Sequence, residues 1–255
     1  MAIERTLVQI RERSLVDLLD LALVVARRRP GTLGLAALAG IAPFAAINAW
    51  LFATFPDLGA WPPMLLWMAE APFATAPLTV ALGNLMFGQR PTPGLVARSL
   101  LRAAIGLVVV QGIFRVVLAF WITSRLFFAN EIVLLERGKW RKLLGRGRDL
   151  ASGRGGELFI LGGVQVGVTL AFAGLAWTGV SVLTETLFAK TVTWDAPDGS
   201  DLAGWRFQAP IWLATAFFAV ARFLTYIDQR IRLEGWEVEL RLRGVGEALK
   251  EARRW

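Results

Sequence analysis

The 255-residue chain is 55% hydrophobic with a mean hydropathy of +0.52, more apolar surface than a soluble domain of this size can hide from water. Its formal charge of +8 is carried by 28 Lys and Arg that lie in blocks between apolar runs, a spacing that fits a bilayer and argues against nucleic acid as a partner. The absence of cysteine and histidine excludes disulfides, thiolate nucleophiles, Cys/His zinc sites and a histidine general base.

At the N-terminus, the apolar stretch Leu15 to Ala26 is followed by the basic cluster Arg27, Arg28 and Arg29, the reverse of a secretory signal's charge order. The N-terminus is therefore expected to be retained. Ser14 followed by Asp17 matches a capping box, so a helix is expected from Ser14 to Arg29, ended by Pro30 and Gly31. It should lie on the inner membrane surface.

Crossing about 30 Å of hydrocarbon takes about 20 helical residues. Apolar runs of suitable length fall at 32 to 54, 63 to 87, 103 to 115, 116 to 135, 158 to 183 and 209 to 226. The stretch 100 to 135 is almost continuously apolar, and charge decides how it is divided. Two spans there put residues 137 to 154 and the basic tail on the same side as the N-terminal arginines, as the positive-inside rule requires. The expectation is an all-α membrane bundle of six spans in a bacterial cytoplasmic membrane, both termini cytoplasmic. It forms one membrane domain, with an amphipathic helix at 1 to 31, the bundle at 32 to 226 and a basic tail at 227 to 255.

Two further surface helices are expected at Pro93 to Arg102 and Lys139 to Ser152. Trp50, Trp61, Trp67, Trp194, Trp205 and Trp212 would form an outer aromatic belt, and the mildly acidic loop 184 to 208 a cap. Pro72 and Pro77 should bend the second span, while Gly162, Gly163 and Gly167 suggest close helix contact in the fifth. Beyond Tyr226, Trp236 to Leu242 reads as an interfacial helix.

Ionisable groups inside spans are costly and are the first candidates for function. Here they are Glu70, Arg125, Glu131 and Arg222. Glu70 and Arg125 lie at matching depth, roughly 10 to 13 Å from the outer ends of their helices, and Glu131 and Arg222 match at a deeper level. Two interhelical ion pairs are expected, structural locks or, alternatively, proton or cation sites. At the inner face, Arg27, Arg28, Arg29, Arg141, Lys142, Arg146, Arg148, Arg230 and Arg232 are expected to meet anionic lipid.

The stretch Ile132-Val-Leu-Leu-Glu136-Arg, followed by Leu143-Leu-Gly-Arg146-Gly-Arg-Asp-Leu-Ala-Ser-Gly153, and the tail signature Arg222, Tyr226, Asp228, Arg230 and Arg232 resemble a broad bacterial group. It comprises the YciC-like proteins and the membrane domain attached to some glycerophosphodiester phosphodiesterases. The resemblance implies a six-helix membrane domain and carries no common activity. No phosphodiesterase activity is inferred, since in those fusions catalysis belongs to a separate soluble barrel. The expected function is a non-enzymatic scaffold or lipid-interacting subunit of a membrane complex, with no cofactor or metal. Its partners would be lipid, a membrane protein or a second copy; the alternative is a small transporter or channel.

Overall fold

The computed structural model describes residues 14–55, 59, 61–86, 88–114, 126–136, 143–188 and 199–234. Among them every regular element is helical. Helix α1 covers Leu15–Arg28, α2 Pro30–Thr54, α3 Trp61–Ala74, α4 Ala76–Met86 and α5 Pro93–Leu107, which continues as a π-helical segment, Val108–Phe114. After it come α6 Ala129–Leu135, α7 Leu143–Leu150, α8 Gly155–Leu187, α9 Gly199–Ala203 and α10 Trp205–Glu234. Among the described residues, five stretches are long and apolar enough to cross a membrane: Pro30–Thr54, Trp61–Met86, Pro93–Gly112, Gly155–Leu187 and Trp205–Leu233. The chain is a multi-pass membrane protein. Most of the expected fourth span, and with it the choice between a hairpin and a long helix, lies outside the described residues.

Burial separates centre from rim. In α10 and the α3–α4 span, 72% and 61% of the most apolar window is buried, against 11 to 17% in α2, α5 and α8. The rim helices turn Leu35, Leu38, Leu101, Ile105, Phe159, Ile160 and Leu175 outward. In hydrocarbon that exposure carries no penalty, because lipid tails are as apolar as leucine. Around α10 the core is built from Leu78 and Leu82 of α4, Phe128 and Ile132 beside α6, and Leu143 and Leu150 of α7.

Helix α1 begins as its sequence dictates. Ser14 Oγ accepts from the Asp17 backbone N–H, and Asp17 Oδ2 accepts from the Ser14 N–H, a complete capping box. The helix does not simply float on the surface. It buries Leu18, Ala22 and Val25 against the core that includes α10, leaving Val16, Leu23 and Val24 outside. Pro30 at the first position of α2 then turns the chain into the bilayer.

The second span breaks at Thr75 between α3 and α4. Pro72 and Pro77 supply no backbone N–H, and the Thr75 hydroxyl adds a second donor to the Ala71 carbonyl at 2.8 Å, beside the Thr75 N–H at 3.0 Å. On α2, Gly40 meets this break so closely that any Cβ would overlap the Ala74 carbonyl. Small size is required there, whereas among the described residues nothing lies within 4 Å of a Cβ at Gly163 or Gly167 of α8, and at Gly162 only the Phe127 ring does, at 3.7 Å.

Other expectations change. The anticipated surface helix Pro93 to Arg102 is not separate from the third span. Thr92 caps it, Pro93 opens it, and nothing between Arg102 and Ala103 interrupts the helical hydrogen bonds, so one helix runs from Pro93 through Leu107. Trp50, Trp61 and Trp205 are exposed as a belt requires, but Trp67 and Trp212 are buried with Phe207 and Ile211. Trp67 Nε1 donates to Thr215 Oγ1 at 2.8 Å, tying α3 to α10. Much of the supposed loop 184 to 208 is helix: the end of α8, then α9, which packs against α2, α3 and α10. Likewise α10 runs past Tyr226 to Glu234, so the tail does not begin at 227. The third surface segment is described only as α7, and Trp194 and Trp236 to Leu242 lie outside the described residues.

Candidate functional site: a polar spine at the basic end of the bundle

Helix directions fix the two ends. Gly40 lies against Ala74 and Asn48 reaches Glu70, so α2 runs antiparallel to α3–α4. Pro30, and with it Arg27 to Arg29, therefore shares an end with Met86. Gly83 meets Leu135, and Glu136 meets Tyr226, placing the close of α6 and the second half of α10 at that end too. The opposite end carries Trp61 and Trp205.

At the basic end, two carboxylates gather three of the arginines. Glu136, just past α6, accepts a bidentate pair of bonds from Arg146 of α7, Nε to Oε2 at 2.9 Å and Nη2 to Oε1 at 3.0 Å, and a third from the Tyr226 hydroxyl at 2.8 Å. The Arg230 guanidinium lies 5.9 Å from the Tyr226 ring centroid, a cation–π contact. Two residues along α10, buried Asp228 accepts from Arg232 at 2.8 Å and lies 3.7 Å from Arg154. Arg154 also bonds Glu157 at 2.7 Å and Gln229 at 3.4 Å. It is delivered there by a turn whose Gly153, at φ +77°, occupies the left-handed region that a side chain would strain.

One turn deeper, Arg222 Nε donates to Glu131 Oε1 at 2.9 Å. Glu131 is fully buried, so this pair joins α6 to α10 inside the apolar core. Its geometry is monodentate: Glu131 Oε2 and Arg222 Nη2 are both buried without a protein partner. Arg222 also borders a crevice between α1, α8 and α10, lined by Leu18, Gln165 and Thr225 and about 10 Å³ in volume, room for about one water.

Deeper still lies an uncharged relay. Gln111, within the π-helical segment, donates to Asn130 Oδ1 at 2.6 Å, and Asn130 Nδ2 donates to the Pro72 carbonyl at 2.7 Å. Both amides are buried, and together they tie α5's extension, the start of α6 and the α3–α4 break to one another. A break in a membrane helix persists only where such groups re-satisfy the backbone.

Of the sequence-derived candidates, Glu131 and Arg222 are brought together. Glu70 accepts a hydrogen bond from Asn48 of α2, whose Nδ2 donates to Glu70 Oε2 at 2.8 Å. Arg125 lies outside the described residues, as do Arg141 and Lys142. Arg27, Arg28, Arg29 and Arg148 are exposed and free to face headgroups. Arg146 and Arg232, also expected to meet lipid, are each ion-paired to a carboxylate of the chain itself while staying partly exposed, and Arg230 stands over Tyr226. Glu136, Tyr226 and Asp228 were visible only as motif letters, and Asn48, Gln111 and Asn130 not at all. A signal for the amides exists, namely three rare strong hydrogen-bonding groups set in otherwise apolar runs.

No protein-family model, curated protein or solved structure matches the chain.

Proposed function

We propose that the chain is a non-enzymatic protein of a bacterial cytoplasmic membrane, with both termini cytoplasmic. Its basic end binds anionic lipid and holds the bundle as a subunit of a membrane complex. The observation that carries this reading is the sorting of arginines at one end. Arg146, Arg154 and Arg232 are consumed by Glu136, Glu157 and Asp228, whereas Arg27, Arg28 and Arg29 stand exposed. The three occupy the junction between docked α1 and the first span. The positive-inside pattern of the sequence supports the orientation, and its lack of histidine and cysteine supports a role without catalysis. The motif resemblance to the YciC-like group accords with it.

Each arginine near an anionic surface contributes on the order of 1 kcal/mol. Replacing all three by alanine should therefore weaken binding to vesicles rich in phosphatidylglycerol by up to roughly a hundredfold. Native mass spectrometry of the purified protein should show retained anionic lipid in the wild type and little in the triple variant. Equal retention in both would remove the lipid reading.

A second reading, a small transporter, rests on the helix break at Thr75 beside buried polar groups. It requires solute flux in proteoliposomes that depends on Asn130 or Glu131.

A further inference from the structure

We propose that Glu70 is a proton-binding site, a carboxylic acid that carries its proton within the membrane and shares it with Asn48. Glu70 stands nine residues into the α3–α4 span from Trp61, about 13 Å along the axis. It is half-buried, and the same helix turns Leu65 and Met68 outward to lipid. Its partner is a neutral amide: Asn48 Nδ2 donates to Glu70 Oε2 at 2.8 Å. Asn48 is itself 4% exposed, and its Oδ1 is buried with no hydrogen-bond partner.

That unsatisfied acceptor is the observation that points to the proton. An ionised carboxylate accepts from the amide N–H and offers nothing to the amide oxygen. A carboxylic acid accepts on one oxygen and donates from the other. A proton on Glu70 Oε1 thus supplies the donor that Asn48 Oδ1 lacks, closing a cyclic acid–amide pair with two hydrogen bonds. The same proton removes a charge from the hydrocarbon, where the charged form is disfavoured. Both gains come from one atom.

Among the described residues, none supplies a counter-charge at the depth of Glu70. Among the described residues packed on α3, those of α2, α4 and the π-helical segment include no titratable side chain. Helix α9 adds Asp201 and the first turn of α10 adds Arg206, both at the Trp61 end of the bundle rather than at the depth of Glu70.

Dicyclohexylcarbodiimide tests the site, because this apolar reagent adds across the O–H of a protonated carboxyl and rearranges to a stable N-acylurea. The wild-type protein in nanodiscs is treated at neutral pH and the adduct located by mass spectrometry. Modification at Glu70 is expected, with exposed carboxylates such as Glu157 unmodified. The rate should fall about tenfold per pH unit once the site deprotonates. In infrared spectra, the carbonyl band of a protonated acid should vanish in Glu70→Gln and shift in Asn48→Leu. Should either variant fail to fold, labelling of the wild type decides alone. An unmodified Glu70 in folded wild-type protein, or a carboxylic-acid band indifferent to Glu70→Gln, would overturn the proposal. Glu70 would then be an ordinary ionised, paired carboxylate.

Discussion

Single residues carry much of the specificity in this chain, because hydrocarbon offers buried polar atoms no alternative partner. The Glu131–Arg222 pair is the clearest case. Matching helix depth makes this pair legible in the sequence, since an unpaired charge at that level would be intolerable. Its neighbours are not legible in the same way. Trp67 and Trp61 are the same residue type on one helix, yet helical phase sends the first into the core and the second to the surface. Arg146 looks like any inner-face arginine until the fold sets Glu136 beside it. For the buried pair, Arg222→Met alone should cost about 3–5 kcal/mol of stability, by stranding the Glu131 charge, whereas Arg222→Met with Glu131→Leu should cost much less. Thermal unfolding in detergent across the four variants measures this, and additive losses would mean that the pair is not coupled.

At the scale of elements, the α3–α4 break shows sequence and packing acting together. Pro72 and Pro77 announce a bend; the sequence alone cannot say what accommodates it. The accommodation comes from far along the chain: Asn130 bonds the Pro72 carbonyl, and Gly40 of α2 lets the Ala74 backbone approach closely. Because backbone rather than a flexible side chain fills that space, Gly40→Leu should destabilise the fold by several kcal/mol, at the upper end of overpacking costs. The same substitution at Gly163, where no described residue lies within 4 Å of a Cβ, should leave the melting temperature unchanged within error. Parallel thermal-shift measurements on the two variants provide the comparison. A mild effect at Gly40 would deny the close approach. Element boundaries were less legible than element identity. Arg102 suggests an interface and so a helix end, but a long side chain near a membrane boundary can reach water without ending its helix.

Over the whole molecule, burial arranges the bundle around α10 and α3–α4, with α2, α5 and α8 facing lipid. The all-α membrane class follows directly from apolar run length, and Glu131–Arg222 from depth. The rest of the spine arises from contacts between residues separated by up to 90 positions, which no local pattern encodes. This arrangement collects the arginine-rich segments at one end and the exposed Trp61 and Trp205 at the other. The proposed lipid-binding role depends on which end faces the cytoplasm. Because the chain has no cysteine, single cysteines can report its sidedness without background. Arg28→Cys, Arg148→Cys, Trp61→Cys and Trp205→Cys are all at exposed positions. They are to be treated in intact cells, with the periplasm made accessible, using a membrane-impermeant maleimide. Labelling is expected at 61 and 205, and at 28 and 148 only after the inner membrane is opened. Labelling at 28 and 148 before that point would contradict the proposed orientation.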